Sequence, residues 1–182
     1  MHTTIAIDEQ IALTLFSPAD KANLVRFLND PVIGANTLSV PHPYTDQHAS
    51  DWLALVEANR ATFGIESKWA IRHPTAGVIG GIGRFVKTGT NGHSDEIGYW
   101  LAAPYRGQSL MSKVVAIYTD WLFAHTPLVR IEAYVFPHNP ASVRVLEKAG
   151  FEREGYLRFN RLKNGRYFDS ILMVRIKPGF TG

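Results

Sequence analysis

The hydrophobic period of this chain switches repeatedly between two residues and three to four, and that alternation constrains its fold more than any other feature. Runs of period two predict strands at Ile11–Phe16, Lys68–Arg72, Val78–Val86, Glu96–Leu101 and Val129–Phe136; in the last, Val129, Ile131, Ala133 and Val135 face one way. Helical spacing fills the gaps. Ser17-Pro18-Ala19-Asp20 offers an N-cap, a first-turn proline and a carboxylate placed for a capping box, so a helix is expected from Ser17, with Leu24, Phe27 and Leu28 on one face and its end at Asp30-Pro31. Thr45-Asp46 opens a second helix whose Ala49, Trp52, Leu53 and Val56 share a face. A third runs from Ser109 to about Thr126, stacking Leu110, Val114, Ile117, Tyr118, Trp121 and Leu122. Asn139-Pro140 caps a fourth, Ala141 to about Ala149, with Val143, Val145 and Leu146 inward and Gly150 at its C-terminal cap. Lys163-Asn164-Gly165 joins two hairpin arms, Tyr156–Leu162 and Tyr167–Ile176. The order predicts an α+β fold: a single mixed, mostly antiparallel central sheet flanked by helices.

At 182 residues and 46% hydrophobic, the chain has enough apolar content for one domain, 1–182, with no repeat or linker to split it. No window approaches the roughly 18 apolar residues of a membrane span, and Met1–Asp8 has neither a basic start nor an apolar stretch of signal-peptide length. A cytoplasmic location without a membrane partner is the expectation. The absence of cysteine removes disulfides, thiolate metal sites and a thiol nucleophile, so covalent chemistry must use oxygen or nitrogen. The net charge of +3 is uneven: residues 1–91 hold 7 basic and 8 acidic side chains, residues 92–182 hold 12 and 8. Arg153, Arg158, Arg161, Lys163 and Arg166 fall close together, but Glu152 and Glu154 dilute them and neither zinc-finger spacing nor an unbroken basic run accompanies them. A solvated face is expected rather than a nucleic-acid surface. Oligomeric state stays open, a homodimer included.

Chemistry is expected where the strand Glu96–Leu101 gives way to the helix near Ser109. The short connection Ala102–Gln108 carries a glycine and an arginine and delivers free backbone N–H groups to a helix N-terminus, an arrangement that holds phosphate. The glycine spacing of a dinucleotide fingerprint is absent, as is a glycine-rich loop ending in Gly-Lys-Ser/Thr. A pyrophosphate of another kind is left.

Glu96-Ile97-Gly98-Tyr99-Trp100-Leu101, Tyr105-Arg106-Gly107-Gln108-Ser109-Leu110-Met111 and Asn139-Pro140-Ala141-Ser142-Val143-Arg144-Val145-Leu146-Glu147-Lys148-Ala149-Gly150-Phe151 together resemble the GNAT superfamily of N-acetyltransferases. Within it the chain is most similar to the Rim-type branch that acetylates protein N-termini, and Pro41-His42-Pro43-Tyr44-Thr45 resembles that branch's substrate-side loop. The resemblance covers nearly the whole chain in matching order. It implies acetyl-CoA as co-substrate, its pyrophosphate on the backbone amides of Arg106, Gly107, Gln108, Ser109, Leu110 and Met111. The pantetheine would lie along the strand ending at Trp100 and Leu101, with Asn139 and Ser142 flanking the thioester. His42, Tyr44 and Trp100 would line the acceptor side, and no metal is implied. Ser109 and Met111 depart from the family's small residues in the phosphate loop; if Ser109 has positive φ, its Cβ costs on the order of 1 kcal/mol.

An amine attacks a thioester only when unprotonated, and an α-amino group titrates near 7.7–8.0, so a base is useful without being strong. Glu96 is the first candidate, acting directly or through water, against the plainer reading of a solvent-facing carboxylate; His42 and His138 are alternatives. Ser142 is the candidate hydrogen-bond donor to the departing thiolate, with Tyr156 behind it. Trp52, Trp69 and Trp121 are expected to pack. The resulting expectation is direct acetyl transfer to a primary amine, most simply a protein N-terminus; a small amine such as an amino acid, polyamine or amino sugar, or a catalytically silent CoA-binding module, are the alternatives.

Overall fold

The computed structural model describes residues 4–63 and 66–181. Its strands are β1 (Thr4–Ala6), β2 (Ala12–Leu15), β3 (Lys68–His73), β4 (Gly77–Phe85), β5 (Ser94–Leu101), β6 (Arg130–Val135), β7 (Glu152–Lys163) and β8 (Arg166–Ile176). The helices are α1 (Lys21–Leu28), α2 (Pro31–Asn36), α3 (Asp46–Phe63), α4 (Leu110–His125) and α5 (Pro140–Lys148). The strands form an eight-stranded sheet in the order β1-β2-β3-β4-β5-β6-β8-β7. Pairs β1/β2, β2/β3, β3/β4, β6/β8 and β7/β8 are antiparallel, whereas β5/β6 is parallel, as the intervening α4 crossover requires. The sheet is therefore mixed and mostly antiparallel, as the sequence pattern predicts. Among the described residues no helix is long and apolar enough to cross a membrane; Met1–Thr3 of the N-terminal reading lie outside them. By its internal contacts the chain groups into two units, Met1–Gly83 with Tyr99–Arg106, and Arg84–Gly98 with Gly107–Gly182.

In the first unit the core gathers Phe16, Leu24, Leu28, Ile33, Tyr44, Ala49, Val56, Ala70 and Val78, with Trp52 edge-on to Phe16 at 4.7 Å. The capping box at Ser17 is present: the Asp20 carboxylate accepts the Ser17 backbone N–H at 2.8 Å and is held from the other side by Arg72. The first turn, Pro18–Asp20, is a 3-10 turn rather than part of the α-helix. Two elements were not expected. Pro31 ends α1 but also opens α2, because its missing N–H is no loss at a first helical position, and Asp30 caps that turn by accepting Val32 N–H at 2.8 Å. The three-residue β1 is too short for a period to show, with Ile5 its one buried side chain. Asn29 clamps the loop before α3, exchanging hydrogen bonds with the Tyr44 backbone at 2.9 and 2.6 Å. Gly81 allows Trp100 of β5 to lie close, since a Cβ there would stand 2.6 Å from Trp100 Nε1.

In the second unit α4 buries Met111, Val114, Val115, Tyr118, Leu122 and Phe123. This face is rotated from the one read in the sequence. Leu110, Ile117 and Trp121 are only half-buried, and Trp121 stacks on His125 instead, with centroids 4.7 Å apart. On α5 only Leu146 is fully buried; Val143 and Val145 are half-buried. Ile131, Ala133 and Val135 of β6 point into the core as expected. The hairpin turn has positive φ at both Asn164 and Gly165, 50° and 74°, the conformation an Asn-Gly two-residue turn adopts, although the first arm begins at Glu152, earlier than expected.

Candidate active site

The start of α4 carries the first candidate feature. Gly107 has φ of 77° and Ser109 has φ of 58°, ψ of 7°, so a non-glycine residue holds a left-handed conformation at the N-cap. The condition set for Ser109 in the sequence is met, and its Cβ bears the cost. Ser109 makes no side-chain cap hydrogen bond, which leaves the first-turn amides of a 16-residue helix uncapped by it. Lys148, in the last turn of α5, places Nζ 3.4 Å from Ser109 Oγ. Met111 is buried against the core, so this departure from the family pattern is a packing residue.

The next helix start is filled differently. Asn139 Oδ1 accepts the Ser142 backbone N–H at 3.2 Å, so Asn139 is the cap of α5 and brings Ser142 into the first turn beside it.

Glu96 sits on β5 in register with Glu132 of the parallel β6. Two carboxylates on adjacent strands repel, and each is answered by its own cations. Arg161 of β7 donates to Glu96 Oε2 at 3.1 Å and lies over the Tyr134 ring, 3.9 Å from its centroid. Glu132 accepts from Lys87 at 2.8 Å, from Arg130 at 2.8 Å and from the Tyr134 hydroxyl at 3.1 Å. Burial pushes the Glu132 carboxyl up, but these donors outweigh it and hold the group below the usual glutamate range. Burial, and then the Glu132 charge, push Tyr134 up. Arg130 also makes a bidentate pair with Glu154 at 2.8 and 2.9 Å. Glu96 is thus held in place by Arg161 rather than standing as a solvated strand carboxylate. Glu132, Tyr134 and Lys87 were not singled out in the sequence, and Arg161 only as one of a basic cluster expected to be solvated, although Arg130, Glu132 and Tyr134 alternate with the buried face of β6 and that alternation was readable.

In the first unit Arg106 Nε donates to the Leu101 carbonyl at 2.8 Å, its guanidinium pairs with Asp30 at 2.8 Å and its backbone N–H donates to the Ala103 carbonyl at 3.2 Å, so Arg106 braces the end of β5 and its amide, expected to meet pyrophosphate, is already committed. Trp100 is half-buried and Leu101 buried; Gly107 and Gln108 are exposed in the second unit. His42 is exposed, whereas Tyr44 is buried in the core and its hydroxyl is pushed up to about 12 by that burial. His138 stacks on Phe136 at 5.4 Å, and the exposed Tyr156 donates to Asp169 at 2.7 Å. Within the second unit, therefore, Asn139 meets Ser142, Ser109 meets Lys148 and Glu96 meets Arg161; within the first, Arg106 meets Leu101. Among the described residues no group of three or more His, Asp or Glu side chains is placed to hold a metal ion.

The same fold occurs in solved acetyltransferases. The spermidine N-acetyltransferase of Vibrio cholerae, solved with CoA and spermine, superposes with a TM-score of 0.74 at 20% identity over 93% of this chain and 96% of that one. The ribosomal-protein-S5-alanine acetyltransferase of Vibrio fischeri superposes with a TM-score of 0.83 at 22% identity, covering all of both chains. In sequence, the probable N-acetyltransferase YjcK of Bacillus subtilis is 42% identical over 82 residues, a match spanning 45% of this chain and 45% of that protein. The family description "Acetyltransferase (GNAT) domain" matches residues 10–152. With most of its length matched, the chain belongs to the GNAT family of acetyltransferases.

Proposed function

We propose that residues 1–182 act as one acetyl-CoA-dependent N-acetyltransferase domain of the cytoplasm, moving an acetyl group directly to an α-amine, with a protein N-terminus as the leading acceptor. The observation that carries this reading is the start of α4, where Ser109 places no side-chain cap and positive φ at Gly107 and Ser109 shapes a turn of backbone donors suited to a pyrophosphate. The backbone amides from Gly107 to Met111 would hold that group, the Arg106 N–H being donated to the Ala103 carbonyl. The strand at Trp100 and Leu101 would carry the pantetheine, with Asn139 and Ser142 near the thioester and the His42–Tyr44 loop on the acceptor side. The amine nitrogen attacks the thioester carbonyl carbon, the C–S bond breaks, Glu96 takes the proton the amine sheds, and the Ser142 hydroxyl donates a hydrogen bond to the departing sulfur. The peptide acceptor is taken from the sequence resemblance to the Rim-type branch; the shared fold does not choose between acceptors, since the spermidine N-acetyltransferase has it too.

Two measurements test this. Millimolar acetyl-CoA is expected to raise the melting temperature, since a ligand that binds only the native state stabilises it. Incubation with acetyl-CoA and a panel of peptides and amines, followed by thiol release, is expected to show turnover that Glu96→Gln lowers by about 10²-fold, the loss shrinking as pH rises and the amine deprotonates unaided. Equal turnover of the two proteins from pH 6 to about 9, across the titration of an α-amine, removes Glu96 from the mechanism.

A further inference from the structure

The Arg161 side chain is only 20% exposed, yet among the described residues its guanidinium has one hydrogen-bond acceptor, Glu96 Oε2. A guanidinium carries five N–H donors, and burying a cation with donors unfilled is unfavourable. The neighbours do not relieve it. Tyr134 covers one face of the guanidinium, and its hydroxyl is spent on Glu132. Glu132 is itself answered by Lys87 and Arg130, and Glu154 by Arg130, so the adjoining charges balance among themselves. The β7/β8 register shifts between Leu157 and Arg161, with Phe159 at φ of 51°, and an irregularity of this kind re-aims a side chain instead of continuing a plain pleat. Glu96, 24% exposed, accepts no other hydrogen bond among the described residues.

A carboxylate with spare lone pairs beside a guanidinium with spare donors complements a ligand that carries an amine and, across two intervening carbons, an oxygen acceptor. That is the H2N–Cα–C=O unit. We propose that Arg161 is a specificity residue that donates to the α-carbonyl or α-carboxylate oxygen of the acceptor while Glu96 receives its amine, so that the enzyme acts on α-aminoacyl groups and discriminates against polyamines and alkylamines. This rests on the placement of Glu96 under the proposed function and adds the chemical unit that is read.

The test measures initial thiol release from acetyl-CoA with L-alaninamide, an Ala-initiated tripeptide, L-alanine and isopropylamine, with kcat/KM expressed per unprotonated amine. Calorimetric binding of the same four to the CoA-bound protein runs in parallel. Alaninamide is expected to exceed isopropylamine by about 10–100-fold, the range of one charge-assisted hydrogen bond. Arg161→Met is expected to collapse that ratio toward one, chiefly through KM, and Arg161→Lys to recover part of it, with acetyl-CoA affinity reporting that each variant is folded. A purely structural Arg161 would lower all four acceptors alike, and that result, or a wild-type protein that treats isopropylamine like alaninamide, overturns the proposal. The tripeptide against free alanine separates a protein N-terminus from an amino acid as the source of the unit. If acetyl-CoA binds but no amine is turned over, the binding ranking still decides on Arg161 while the catalytic reading fails; if no amine binds either, both fail.

Discussion

Ser109→Gly offers a test in which the structure fixes both sign and size. Ser109 holds φ of 58° at the N-cap of α4, where a Cβ meets the following carbonyl and costs roughly 1–2 kcal/mol relative to glycine. Glycine gives back about 0.4–1 kcal/mol through the greater freedom of its unfolded chain. The lost Ser109 Oγ contact to Lys148 is 3.4 Å long and exposed, too weak to reverse the balance. The net expectation is a gain of about 0.5–1 kcal/mol. For a domain of this size that is a rise in melting temperature of roughly 1–4 °C. Urea titrations of wild type, Ser109→Gly and Ser109→Ala separate the causes: alanine keeps the Cβ and drops only the hydroxyl, so it should stay within about 0.5 kcal/mol of wild type while glycine moves to a higher midpoint at constant slope. The same relief of strain predicts that acetyl-CoA affinity is kept or improved in the glycine variant. A glycine variant less stable than the alanine one would refute the reasoning, because it would mean that the side chain, and not the backbone angle, governs this turn.

Asn139→Ala is expected to cost about 1 kcal/mol through loss of the α5 cap and also to weaken acetyl-CoA binding; a variant that melts lower with unchanged affinity makes Asn139 structural only. Glu132 contributes stability with a definite sign: its folded carboxyl lies below the ordinary value, so the stabilisation is present above about pH 4.3 and is lost as pH falls below that, and Glu132→Gln should flatten the acid limb of a stability-against-pH curve, whereas an unaltered limb would show that the Lys87 and Arg130 bonds do not outweigh burial.

The parts of the fold that were legible are those decided within a few residues. Asn164-Gly165 prescribes a two-residue turn whichever strands it joins, and Ser17 with Asp20, or Asn139 with Ser142, closes its hydrogen bond inside one turn of helix. Ambiguity entered where one residue serves two signals. Pro31 stops a helix and starts one with equal ease, and only the tertiary burial of Ile33 selects the second use. The rotated face of α4 has a similar origin: it presents apolar side chains almost all round, so the period marks a helix without saying which side meets the core.

The candidate site divides along the same line. The left-handed turn at Ser109 was foreseeable as a condition, because the loop before a helix start has few conformations, while the Glu96–Arg161 pair joins residues 65 apart and Lys87–Glu132 joins residues 45 apart. No local rule connects them. Arg161 looked like one member of a basic cluster bound for water, yet strand pairing distributes that cluster by side-chain direction, and Arg161 is drawn onto Glu96 and the Tyr134 ring. What the sequence did offer was the polar half of β6. Once Ile131, Ala133 and Val135 are assigned to the core, Arg130, Glu132 and Tyr134 must share the other face, and a charged face on a strand with neighbours on both sides needs partners from those neighbours. The sheet order then decides who supplies them: β5 lies on one side of β6 and β8 on the other, and Arg161 reaches Glu96 from β7, one strand further out, which makes it a residue to test instead of a surface charge.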